Sequence, residues 1–226
     1  MKRFLQKYKY EILLLALIQH LFIGVFLNDM LFYLKVVWPI NMVVLGIASS
    51  GVFIEKERWK GILKNFLAVL AVVFPICVPI FGDSPIFRVV MNVSLSSFYL
   101  YIFIEVLRYL IRPSYINRDI ITAAACGYFL LIEISVFSLQ NFYYANPDSF
   151  KGIGGAFSLD NAANIFMDLV YFCTITITSI GFGDITPNTH YTKLITSFLG
   201  LIGQFYSVVL VGILISKFTG SVHKIQ

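Results

Sequence analysis

The stretch Thr174-Ile-Thr-Ile-Thr-Ser-Ile-Gly-Phe-Gly-Asp-Ile-Thr-Pro187 decides how this chain is read. It closes a short apolar run, 162–177, and is followed by a long one, 191–218. The short run falls below the roughly 20 residues that a membrane-spanning helix needs. A short helix ending in Ser-Ile-Gly-Phe-Gly suits a segment that enters a membrane and turns back. Gly181 and Gly183 allow positive φ at little steric cost, so the loop can take conformations that ordinary L-residues avoid.

The rest of the chain supplies the membrane. Of its 226 residues 58% are hydrophobic and 13% charged, with a mean hydropathy of +0.83. Soluble domains carry roughly 25% charged residues, so lipid is the expected solvent. Six stretches are long enough to span: 12–27, 31–54, 62–81, 86–111, 120–142 and 191–218. Basic residues sit on alternate loops: Lys2, Arg3, Lys7 and Lys9; Lys56, Arg58, Lys60 and Lys64; Arg108, Arg112 and Arg118; Lys217 and Lys224. This alternation places both termini in the cytoplasm, as an even number of spans also requires. The net charge of +5 is explained by these loops, and no nucleic-acid partner is expected.

Asn28-Asp29 and Gly82-Asp83-Ser84-Pro85 read as outer turns, and Pro113-Ser114 breaks the fourth helix. Residues 145–161, with Gly152-Ile-Gly-Gly155, read as an exposed outer loop, and Ser158 or Asp160 as a cap for the short helix. Cys77, Cys126 and Cys173 read as buried apolar residues without metal-ligand spacing. No cleavable signal peptide and no internal repeat is evident. Only residues 219–226 follow the last span, which leaves no expected room for a regulatory domain there.

The stretch 174–187 resembles the pore signature of potassium channels, commonly Thr-x-Thr-Thr-Val-Gly-Tyr-Gly-Asp, over roughly residues 161–217. The resemblance implies an all-α membrane protein. Six transmembrane helices would carry a re-entrant pore helix and a selectivity-filter loop, in the tetrameric potassium-channel fold. It divides the chain into a four-helix domain, 1–118, and a pore domain, 119–226, which holds outer helix, pore helix, filter and inner helix. It also implies a homotetramer, K+ ions in the filter, membrane lipid as surroundings, no other cofactor and no enzymatic activity. A bacterial plasma membrane is the expected location.

Residue by residue, the implied filter is Ser179, Ile180, Gly181, Phe182 and Gly183. The carbonyls of the first four would bind K+, and the Ser179 hydroxyl would help form the innermost site. Ile180 and Phe182 would point away from the axis. Tyr171 and Phe172 fall where the family has an aromatic cuff, Thr178 and Asp184 where residues support the filter. A hydrogen bond from Tyr171 to Asp184 is expected. Two residues depart from the pattern: Ser179 stands for the usual Thr and Phe182 for the usual Tyr. Ser-x-Gly-Phe-Gly also resembles some ether-a-go-go-related channels, which suggests a less rigid filter.

Gly203 and Gly212, on the last span, read either as gating hinges or as close-packing positions. The fourth span has no arginine ladder, so strong voltage sensing by it is not expected. Arg88, near its outer end, would snorkel, and Glu105 would pair with Arg108 or Arg112. Glu133, inside the fifth span, would either hydrogen-bond the pore helix and tune the filter or serve as a satisfied structural carboxyl. His20 reads as a packed polar residue, and His190 as an outer pH sensor or a solvated loop residue. The alternatives are a weakly selective cation channel, a non-conducting subunit and a transporter. A transporter should show paired broken helices. No metalloprotease or serine-hydrolase motif is present.

Overall fold

The structure is a computed structural model that describes residues 6–222 except 51, 53–57, 112–117, 155–157 and 160. Lys2, Arg3, Lys56, Arg112, Lys224, the breaker Pro113-Ser114, Gly155 and the candidate cap Asp160 lie outside the described residues. Six helices are long and apolar enough to cross a membrane. The described residues form an all-α fold apart from one pair of two-residue strands.

The first helix, α1 (Lys9–Phe22), ends in a 3-10 turn over Ile23–Phe26. The second, α2 (Met30–Ser50), starts at Asp29, whose carboxylate accepts the Phe32 amide at 3.0 Å. Within α2, Tyr33–Val37 form a π-helical turn that nothing in the sequence announced. α3 (Arg58–Phe81) carries Pro75 and Pro79 in its interior. Each proline lacks the amide for one helical hydrogen bond. Gly82 closes α3, and Pro85 opens α4 (Pro85–Ile111) at a position where its missing amide costs nothing. α5 (Arg118–Ala145) is the fifth span, α6 (Ala162–Ile177) the short helix and α7 (His190–Val222) the last.

Polar contacts fix how α1 and α5 run. Arg118 Nε lies 3.4 Å from Glu11 near the start of both helices. Further along, His20 meets Glu133. Both pairs advance together along the two helices, so the first and fifth spans are parallel. Alternating crossings require that of the first and fifth members of a series.

The outer loop is less exposed than expected. Phe150–Lys151 (β1) pairs antiparallel with Thr186–Pro187 (β2), and Ser149, Phe150 and Ile153 are buried. The loop thus folds over the residues that follow Asp184. Arg88 is also more constrained than a snorkelling residue. Its Nη1 donates to the Gly82 and Asp83 carbonyls, and its guanidinium lies over the Tyr144 ring at 5.5 Å.

Candidate functional site

The short helix α6 covers the run read from sequence, residue for residue. Its N-cap is Asn161, without a side-chain capping bond, and not Ser158. The Ser158 amide instead donates to Asn161 Oδ1 at 2.8 Å, so its backbone is committed to the preceding turn. At the other end, four carbonyls of a helix lack helical partners. Tyr128 of α5 donates its hydroxyl to one of them, Ile177, at 3.2 Å. Thr178 bonds back to Thr174 with both its amide and its hydroxyl.

After Thr178 the backbone changes hand at every second residue. Ser179 has φ 61°, Gly181 57° and Gly183 82°, while no positive φ occurs at Ile180 or Phe182. Ser179 is the single non-glycine residue with positive φ among the described residues. Alternation of this kind gathers successive amides on one side of a strand and leaves successive carbonyls on the other. The amides of Ile180 and Gly181 both donate to the Ile175 carbonyl, at 2.8 and 3.1 Å. That face of the strand is therefore turned toward α6.

Side chains hold the same arrangement from behind. The Tyr171 hydroxyl donates to Asp184 Oδ2 at 2.6 Å. This bond is the main reason the Asp184 carboxyl sits below the usual carboxylate range; partial desolvation opposes it, and amides at Ile185 and Asp184 reinforce it. The Phe182 ring stacks on Tyr171, 6.5 Å between centroids and 6° between planes. Phe172 turns the other way and meets Phe150 of the outer loop edge-on at 5.4 Å. So the two expected cuff residues serve different neighbours. Gly152, φ 89°, lies so close to Asp184 that a Cβ would fall 2.3 Å from its carbonyl oxygen.

The residues of this strand are uncovered within one chain: Ile180 is 56% exposed and Phe182 70%. At the end of the strand next to α6, Ser179 Oγ donates to Gln204 Oε1 of α7 at 3.2 Å. Gln204 was missed in the sequence, although an amide inside an apolar span is the kind of residue that calls for a role. Gly203, beside it, is in close contact. A Cβ there would lie 2.8 Å from Ile177 Cγ2 and 3.1 Å from the Ile177 carbonyl oxygen. No described atom lies within 4 Å of a Cβ at Gly212, and α7 is helical through both glycines.

Glu133 does not bond α6. Its Oε1 lies 2.6 Å from His20 Nδ1, and both side chains are fully buried. A carboxyl at this depth needs a partner, and the imidazole of α1 supplies it. Tyr99, Phe137 and Phe166 surround the imidazole. Phe166 belongs to α6, so the pair touches the short helix through a ring. Glu105 pairs with Arg108 on its own helix. His190 is exposed at the first residue of α7, edge-on to Tyr191. No cluster of potential metal-binding side chains occurs among the described residues.

Residues 130–220 match the family model for "Ion channel". The chain is similar to "Two-pore potassium channel 5" of Arabidopsis thaliana, with 32% identity over 45% of this chain and 22% of the relative. It is similar to "Hyperpolarization-activated voltage-gated potassium channel" of Methanocaldococcus jannaschii, with 57% identity over 16% of this chain and 18% of the relative. "Two-pore potassium channel 3" of Arabidopsis thaliana is 29% identical over 44% of this chain and 20% of the relative. The chain thus spans about a fifth of the length of these relatives. No solved structure matches it.

Proposed function

We propose that the chain is one subunit of a homotetrameric channel that conducts K+ selectively and passively, a reading supported by the match of residues 130–220 to the ion-channel model and by the likeness to potassium channels. The observation that carries this is the alternating backbone at Ser179, Gly181 and Gly183, with the Ile180 and Gly181 amides turned onto Ile175. Such a strand presents its carbonyls along the opposite face. One strand cannot encircle an ion, so symmetric copies must complete the ring.

In this mechanism the carbonyls of Ser179, Ile180, Gly181 and Phe182 replace the water around K+. Dehydration begins at Ser179, and ions advance in single file by mutual repulsion. The C-terminus of α6, with its partial negative charge, faces the inner vestibule and favours a cation there. Tyr171 and Asp184 hold the outer end of the filter, Phe182 backs it, and Gly203 keeps the inner helix against Ile177. No bond is made or broken. Both termini lie in the cytoplasm, with the basic loops on that side.

A second reading, a weakly selective cation channel, draws on the exposed Phe182 ring, which has no hydroxyl to anchor the strand. The reversal potential of the purified protein in planar bilayers under a potassium–sodium gradient separates the two. A value near the potassium equilibrium potential, lost on Gly181→Ala, is expected. A value near zero supports the weakly selective channel, and the absence of current supports a non-conducting subunit or a transporter.

A further inference from the structure

The contact between Ser179 and Gln204 has a chemical sense of direction. A hydroxyl that coordinates a cation must turn its proton away and offer lone pairs. Ser179 Oγ donates its proton to Gln204 Oε1, so its lone pairs remain available on the other side of the oxygen. A threonine at this position would restrict its own χ1 through its β-branch. Serine has no such restriction, and Ser179 is exposed within the chain with φ 61°.

We propose that Gln204 is a positioning residue for ion selection: it orients the Ser179 hydroxyl at the inner end of the filter and supplies the constraint that the missing methyl would otherwise give. The proposal rests on the conduction reading above. Gln204 is well placed for this. It follows Gly203, whose contact with Ile177 fixes the height of the inner helix against the end of α6, two residues before Ser179. The amide is neutral, so it sets direction at the ion entrance without adding charge. Its carbonyl oxygen is taken by Ser179, and its NH2 group remains as a donor that no cation will bind. The side chain therefore guides the ligand without itself competing for the ion.

The test is a reversal-potential series in planar bilayers on the full chain, comparing wild type, Q204M, S179T and the double variant S179T/Q204M. Methionine keeps the length of the side chain and removes the acceptor. Q204M is expected to lower the potassium-to-sodium permeability ratio about 2- to 10-fold, the range set by the net worth of one hydrogen bond. Because threonine carries its own constraint, S179T/Q204M should recover the wild-type ratio. A role in packing alone would not be rescued at Ser179. An unchanged ratio in Q204M, or a double variant no better than Q204M, overturns the proposal. A wild-type reversal near zero overturns instead the conduction reading on which it rests, so the two failures are distinguished within one series.

Discussion

The helices α5 and α7 are both long, apolar and continuous, yet the chain treats them in opposite ways. Of the most apolar stretch of α5, 67% is buried within the chain, against 17% for α7. α5 packs against α1, α4, α6 and α7 and carries the fully buried Glu133. α7 leaves Leu194, Phe198, Leu201, Phe205 and Val208 exposed, each at least 60%. Their spacing of four, three, four and three residues forms one seam along the helix, the pattern by which helices pack on one another. α5 is thus the centre of the chain's packing, whereas α7 presents an exposed apolar seam. In the tetramer proposed above, that seam is where copies would meet.

The largest effect should come from opening the centre. His20→Ala leaves a buried carboxyl without its hydrogen-bond partner and empties the space among Tyr99, Phe137 and Phe166. It therefore costs at least the penalty of an unsatisfied buried polar group, about 1–3 kcal/mol. Chemical unfolding in detergent should show this loss, and H20Q/E133Q, a neutral pair, should regain most of it. Equal stability of H20A and wild type would mean that α5 is not anchored through this contact. The seam on α7 should respond differently. L201N/F205N is expected to keep the helical content of the subunit and to abolish, in light scattering, the tetramer proposed above. If it unfolds the subunit as H20A does, the contrast between the two helices is wrong.

Smaller effects sharpen the comparison within α7 itself. Gly203→Ala places a methyl 2.8 Å from Ile177 Cγ2, and overpacking of this kind costs about 1–3 kcal/mol. It should lower both stability and open probability. Gly212→Ala meets no described atom of its own chain within 4 Å, so it is expected to leave subunit stability unchanged, and a shift in its single-channel gating would report backbone freedom or a contact between copies. The smallest effect concerns the outer end of the filter. The Asp184 carboxyl is held low by Tyr171. Its contribution to stability is complete above the ordinary aspartate value of about 4 and is lost as pH falls through the lower folded value. Tyr171→Phe should move that acid transition to higher pH, as read by thermal unfolding across pH 2–5. An unmoved transition would remove Tyr171 from this role.

How much of this was legible depended on range in sequence. The short helix over 162–177 could be read to its ends because both ends are local: a polar loop before it and Ser-Ile-Gly-Phe-Gly after it. The positive φ at Gly181 and Gly183 followed from residue type, whereas the same conformation at Ser179 did not, since serine gives no such signal. Glu133 stood out as a carboxyl in an apolar span. Its partner did not, because His20 lies 113 residues earlier and only the parallel packing of α1 on α5 brings them together. Gly127 belongs to the same class. A Cβ there would lie 2.0 Å from the Tyr206 hydroxyl, which reaches past it to the Ala124 carbonyl. Ser158 misled as a cap because the sequence cannot tell a hydroxyl that will cap from a backbone that will turn.

The strand that follows α6 resembles a beam clamped at both ends. Its inner end is pinned by Ile175 and Tyr128, and its outer end by the β1–β2 pairing and by Gly152 against Asp184. A clamped beam can neither slide nor splay without breaking a clamp. The soft motion left to it is torsional: one peptide plane turns over, the planes on either side counter-rotate, and both ends stay where they are. Such a turn reverses the direction in which one carbonyl points. The scaffold resists it at the two planes whose amides, those of Ile180 and Gly181, bond Ile175, so the inner half of the strand is held in torsion as well as in position.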